Sequence, residues 1–155
     1  MHKIQRICLF ILLVTSTASH GQEIPFKTVQ DLFSAISEVN HSKMKSAVTD
    51  DFQLLEVGED WDINQLIKVV KPSEYFRRNY FSVIRLETSD NFSWVSYWNK
   101  ATFTKEALVE EVVWLESAVL IKENKKWKIQ MLHSTKINPE YLPKNVELTE
   151  YKIEI

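Results

Sequence analysis

The stretch that decides the fold is Leu108-Val-Glu-Glu-Val-Val-Trp-Leu-Glu-Ser-Ala-Val-Leu-Ile-Lys122, then Glu123-Asn-Lys-Lys126, then Trp127-Lys-Ile-Gln-Met-Leu-His-Ser-Thr-Lys136. Both flanks are rich in Val, Ile, Leu, Trp and Thr, and the four residues between them are polar. This is the composition of two strands joined by a tight turn. Working backwards, Phe92–Thr104 and Phe81–Glu87 have the same character, with breaks at Lys105-Glu106 and at Thr88-Ser89-Asp90-Asn91. Four consecutive strands form an antiparallel meander.

The chain before Phe81 reads differently. Val29, Leu32, Phe33, Ile36 and Val39 recur at helical spacing, with Thr28 and Asp31 placed as a capping box. A second short helix starts at Ser42 and buries Met44 and Val48, and Thr49-Asp50-Asp51 ends it. Phe52–Val57 reads as a short strand. Asp60 or Asp62 caps a third helix carrying Ile63, Leu66, Ile67 and Val70, which Pro72 stops. Ser73–Arg78 reads as a weak helical turn. Helices followed by a run of strands predict an α+β domain, with helices packed on one face of an antiparallel sheet. The domain spans 22–137, and the tail 138–155 either adds an edge strand near Val146–Ile155 or is irregular.

At its start the chain carries His2, Lys3 and Arg6, then the unbroken apolar run Ile7–Val14, then small and polar residues to Gly21. Residues 1–21 therefore read as a secretory signal, because eight apolar residues are too few to cross a bilayer. The protein is expected to be exported, periplasmic or secreted, with no membrane span once the signal is cut. Cys8 lies inside that run and is the only cysteine, so the exported domain has no disulfide, thiolate ligand or cysteine nucleophile.

Composition narrows the function classes further. The 155 residues are 45% hydrophobic and 26% charged, with a net charge of −2. Loss of the signal removes Lys3 and Arg6 and no acidic residue, leaving the balance more negative. Nucleic acid is an unsuited partner for such a surface. Two glycines cannot build a phosphate-cradling loop, and no histidine spacing matches a zinc site, so neither a cofactor nor a metal is expected.

Period-two alternation predicts which side chains share a face. With Lys122 opposite Trp127, Glu116 falls opposite His133, Ala118 opposite Met131 and Leu120 opposite Ile129. With Lys105-Glu106 as a two-residue turn, Tyr97 falls opposite Trp114, and Asn99 shares that face. An even error in that loop preserves the face, and an odd error or a bulge breaks it. The expected cavity is lined by Tyr97, Asn99, Trp114, Glu116, Met131 and His133. A Glu beside a His in an apolar pocket favours imidazolium or a shared proton and can exchange it with a substrate. Such a pair equally often serves only to satisfy itself. Trp94 and Trp98 lie on the opposite face with Val113 and Leu115, which is either a homodimer interface or a surface covered by the tail. Trp61 either packs the third helix or borders the pocket. Arg77-Arg78 reads as a solvated helix end, with contact to an anionic ligand as the alternative.

The end of the chain, Glu110-Glu-Val-Val-Trp-Leu-Glu116 with Trp127-Lys-Ile-Gln-Met-Leu-His-Ser-Thr135, resembles the close of a nuclear transport factor 2-like domain. More narrowly it resembles the SnoaL-like branch, whose chains often finish in Trp-Lys/Arg-Ile and His-x-Ser or His-Ser-Thr. Phe33–Val39, His41–Val48 and Asp50-Asp51-Phe52 resemble the opening helices and first strand of that branch, so the resemblance covers about 26–136. It implies a cone, in which a strongly curved sheet wraps the helices and encloses a pocket. It also implies a family range from ketosteroid isomerases, dehydratases and polyketide cyclases to pure binding modules. Glu116 and His133 are the positions it carries over, His133 matching the terminal His. The expected function is binding of a small, partly apolar molecule. The alternatives are acid–base catalysis by Glu116 and His133, and a dimeric interaction protein with a filled cavity.

Overall fold

The computed structural model describes residues 24–152, so the expected signal lies outside the described residues. Helix α1 is Pro25–Ser37, α2 is His41–Ser46 and α3 is Ile63–Val69. The strands are β1 Val48–Glu56, β2 Glu59–Trp61, β3 Phe76–Thr88, β4 Phe92–Lys105, β5 Leu108–Glu123, β6 Lys126–Ile137 and β7 Thr149–Glu150, with a 3-10 turn at Pro139–Tyr141. They form one seven-stranded sheet in the order β2-β1-β6-β5-β4-β3-β7. The architecture is α+β, with the helices held in a curled sheet. The sheet is mixed, because β1 pairs β6 in parallel while the other pairs are antiparallel.

Helix α1 begins four residues before Val29. Pro25 takes the first-turn position, where a missing N–H costs nothing, and Ile24 precedes it without a side-chain cap. Thr28 and Asp31 therefore lie inside the helix, and Asp31 pairs with Lys27 one turn back and accepts a hydrogen bond from the Tyr151 hydroxyl. Asn40 caps α2 by accepting from the Lys43 N–H. Asp62, rather than Asp60, caps α3 in a reciprocal box with Gln65. The β1–β2 hairpin turns at Val57-Gly58, both at positive φ, as a tight primed turn requires. Asn124 and Lys125 turn the β5–β6 hairpin in the same way.

The core lies between α1 and the inner face of β3–β6. Val29, Leu32, Met44, Val95, Ala118, Leu120 and Ile129 are completely buried. Phe26, Phe33, Phe81 and Tyr97 add an aromatic cluster of edge-to-face and tilted pairs with centroids 5.1–6.1 Å apart. The tail returns to the domain: Thr149 pairs with Phe81, and Tyr151 packs against the core. Val113, which faces outward in register, is buried, and the 3-10 turn is packed against β5 beside it.

Three expectations about local structure are corrected here. Ser73–Arg78 is not a helical turn, because β3 starts at Phe76 and pairs continuously with β4 from Thr104 down to Tyr97. The β4–β5 turn is Glu106-Ala107, with Lys105 opposite Leu108, so Tyr97 faces Glu116 and Asn99 faces Trp114. That shift is even, and the inward face keeps its members. In β6 the shift is odd. Leu120 faces Ile129 but Val119 faces Met131, which leaves Gln130 as a bulge. Beyond it Glu116 faces Ser134 and His133 faces Ser117. Met131 and His133 therefore leave the inner face, and Leu132 and Ser134 replace them.

Candidate functional site

The inner face of the sheet is filled by α1 near the β5–β6 turn and left open at the other end. There a cavity of about 680 Å3 lies between the end of α1, α3, β1 and the strands β3–β6. Phe33, Ile36, Leu54, Trp61, Leu66, Phe103, Trp114 and Leu132 form its apolar walls, and Glu56, Arg77, Glu116 and Ser134 reach it with polar groups. Trp61 thus meets both expectations, packing on the core cluster and bordering the cavity.

Glu116 is the deepest of the polar groups, at 4% exposure. One carboxylate oxygen accepts from Ser134 Oγ at 2.9 Å and the other from Asn99 Nδ2 at 3.1 Å. The buried Tyr97 hydroxyl stands beside the same carboxylate without a hydrogen bond of ordinary geometry, and Asn99 Oδ1 is likewise buried without a partner. Burial pushes the Glu116 carboxyl up to about 7, against the pull of Ser134, Tyr97 and Asn99, and nearby Glu56 pushes the same way. Tyr97 is raised well above the usual phenol value, first by burial and then by the Glu116 charge. Glu56 is also raised by burial, with the Trp114 indole and the Arg77 charge opposing.

Arg77 is the member that the sequence reading placed at a solvated helix end. Strand β3 aims it inward, because Arg77, Asn79 and Phe81 share one side of the strand and Phe81 is in the core. Stepping back by twos from Phe81 along the sequence is the signal that could have found it. Its Nε donates to Asn79 Oδ1 at 2.9 Å, and Asn79 Nδ2 donates to Ser37 Oγ at 2.7 Å and to the Phe33 carbonyl at 3.3 Å. Asn79 thereby ties the arginine to the C-terminal end of α1. The guanidinium carbon lies 5.8, 5.4 and 5.9 Å from the ring centres of Phe33, Phe103 and Trp114. Among the described residues it has no carboxylate within ion-pair distance. Desolvation lowers it to about 10, opposed by the charges of Glu116 and Glu56.

Of the expected site residues, Tyr97, Asn99, Trp114 and Glu116 are together. Trp114 walls the cavity, while Tyr97 and Asn99 surround the Glu116 carboxylate rather than the open space. Met131 and His133 are not with them, for the reason of the bulge. His133 is exposed and borders a separate depression beside the β1–β2 hairpin, with Glu59, Asp60 and Lys136. No Glu116–His133 proton pair exists in this arrangement. Among the described residues no three His, Cys, Asp or Glu side chains are grouped to hold a metal ion, and no helix is long and apolar enough to cross a membrane.

No protein-family model and no curated protein sequence matches the chain. Solved structures do. The CamKII hub homology domain of Chlamydamonas reinhardtii superposes with a TM-score of 0.65 at 17% identity, covering 73% of this chain and 95% of that one. A ketosteroid isomerase-like protein from Erwinia carotovora atroseptica gives 0.58 at 16% identity, covering 78% and 99%. A nuclear transport factor 2-like protein of unknown function from Shewanella oneidensis gives 0.54 at 13% identity, covering 70% and 93%. The fold is nuclear transport factor 2-like. At these identities the likeness concerns the fold, and one fold of this kind hosts many activities.

Proposed function

We propose that this chain is an exported binding domain that takes a small, partly apolar molecule into the cavity at the open end of the sheet. The observation that carries the reading is the cavity, whose volume of about 680 Å3 falls in the range typical of small-molecule sites. Aromatic and aliphatic walls surround a few convergent polar groups, the division in which apolar area supplies affinity and polar groups supply orientation. A thermal-shift screen of the purified protein against hydrophobic acids, sterols, aromatic ketones and polyketide-like compounds tests it. A ligand at 100 times its dissociation constant stabilises by about 2.7 kcal/mol, a shift of several degrees in a domain of this size. No shift with any class, together with unchanged tryptophan fluorescence at millimolar compound, would sink the reading.

The N-terminal sequence supports export. Expression in a secreting host, followed by mass determination of the exported product, should show loss of residues 1–21. The full-length mass in every fraction would count against it.

Acid–base chemistry is the second reading, and the elevated Glu116 at the floor of the cavity favours it. Glu116 would then move the proton alone, because His133 faces the other side of the sheet. This reading expects turnover to vanish in Glu116→Gln while binding persists. A third feature belongs to assembly. Leu115, opposite Trp98 on the outer face, is 39% exposed while neighbouring Val113 is covered. A homodimer through Trp94, Trp98 and Leu115 would cover it. Sedimentation that is unchanged by Trp98→Lys would remove this proposal.

A further inference from the structure

We propose that the cavity takes a partly apolar monoanionic acid, its carboxylate seated on the Arg77 guanidinium, together with one proton held by Glu116. This deepens the binding reading above and rests on it. The argument begins with the arginine. Its aromatic surroundings and its Nε bond to Asn79 hold the guanidinium plane in place, yet its terminal nitrogens have no hydrogen-bond partner among the described residues. An arginine fixed in a mostly apolar cavity with free donors is a seat for a planar oxyanion, which it can hold with two parallel bonds. Phe33, Phe103 and Trp114 around it suit the apolar body of the same molecule.

The carboxyls facing that seat explain the proton. Glu56 from β1 and Glu116 from β5 both lie within electrostatic reach of Arg77. Asn99 and Tyr97 from β4 and Ser134 from β6 surround Glu116 without adding charge. Glu38 at the end of α1 and Lys71 after α3 stand at the cavity rim. A ligand carboxylate on Arg77 would add another negative charge near two carboxyls that share one nearby cation. Like charges in a poorly solvated site cannot all remain ionised, so the most deeply buried carboxyl keeps its proton. The sign follows. A bound anion raises Glu116, the complex takes up a proton near neutral pH, and affinity falls as pH rises from the free to the bound value. Each unit by which the ligand raises Glu116 is a tenfold loss across that interval.

Isothermal titration calorimetry of the purified protein tests this with 1-naphthaleneacetate and 4-phenylbutyrate against their neutral amides, in phosphate and in Tris to count protons. The acids should bind at least tenfold more tightly than the amides at pH 6.5. Arg77→Met and Arg77→Gln should abolish that preference. Between pH 6.5 and 8 the dissociation constant should rise about tenfold, with proton uptake at pH 7, and Glu116→Gln should flatten both while Glu56→Gln keeps them. Amides that bind as well as acids overturn the inference and leave the cavity reading intact. Acid-selective binding without proton uptake, or with uptake unchanged in Glu116→Gln, overturns the role of Glu116. Binding of neither series to the folded protein, together with a flat thermal screen, overturns the cavity reading itself. If the arginine variants fail to fold, the acid–amide comparison in the unmodified protein decides.

Discussion

The β5–β6 hairpin contains two regions of similar composition and opposite use, divided by the bulge at Gln130. On the turn side, Leu120 faces Ile129 and Lys122 faces Trp127. Leu120, Ile129 and Trp127 are completely or almost completely buried. Beyond the bulge, Glu116 faces Ser134 and Trp114 faces Lys136, and the inward members border a cavity. On the turn side the inward apolar side chains are packed in the core, and the contacts stabilise. On the far side the end of α1 and the short helix α3 border the space without filling it. The space left over is where a carboxyl can be buried at little gain to stability. The contrast shows that helix cover, more than strand composition, decides which end of the sheet is core and which is site.

Four experiments test that contrast. The largest effect should come from Leu120→Asp, which puts a carboxylate on the packed end without the partners that Glu116 has on the open end. The expected cost exceeds about 4 kcal/mol, because an unpaired charge is buried among apolar side chains. Circular dichroism melts should show loss of the cooperative transition, and an unchanged melt would mean that the two ends accept a carboxyl equally. Next comes truncation on each side. Ile129→Ala should destabilise by about 2–5 kcal/mol in urea titrations. Ile36→Ala, at the cavity edge, should cost about half as much, since its side chain already lacks neighbours on one side. Equal costs would contradict a packed end and an open end.

The third effect depends on pH. Glu116 is raised to about 7 in the folded state, so the unfolded chain loses this proton first as pH rises. Its contribution is therefore most favourable below about 4.5, the ordinary glutamate range, and declines until the folded group ionises near 7. The decline amounts to roughly 3 kcal/mol. Urea unfolding at pH 5 and pH 7.5 should show a stability difference that Glu116→Gln reduces by about that amount. An identical difference in the variant would place the titration elsewhere. The smallest effect should be that of His133→Ala. This exposed side chain on the outer face should change stability by no more than about 0.5 kcal/mol and leave the pH dependence alone. A large change in the pH profile would restore the Glu116–His133 pair that the bulge separates.

Much of this was legible beforehand, and the exceptions have identifiable causes. The four-strand meander follows from the density of β-branched and aromatic residues and from polar breaks at the turns. Glu116, Tyr97, Asn99 and Trp114 were assigned to one face because an even error in a hairpin loop leaves parity unchanged. Alternation alone puts Met131 and His133 on the wrong face, because a bulge has no compositional mark here, Gln130 being an ordinary strand residue. Arg77 reads as a helix end because Pro72-Ser73-Glu74 and the charges after it hide the start of β3. The parallel pairing of β1 with β6 joins segments far apart in sequence, which no local pattern encodes.

The main helices, the four-strand meander and the face on which Glu116 is buried are written in local sequence. Those are local properties, governed by side-chain periodicity and turn chemistry over a few residues. Packing in three dimensions brought Ser134 rather than His133 to Glu116, turned Arg77 into the same cavity, and left one end of the sheet open. Each of these depends on how far a curved sheet bends from its covering helix and on a one-residue register shift. Both are set by packing between segments that are distant in the chain.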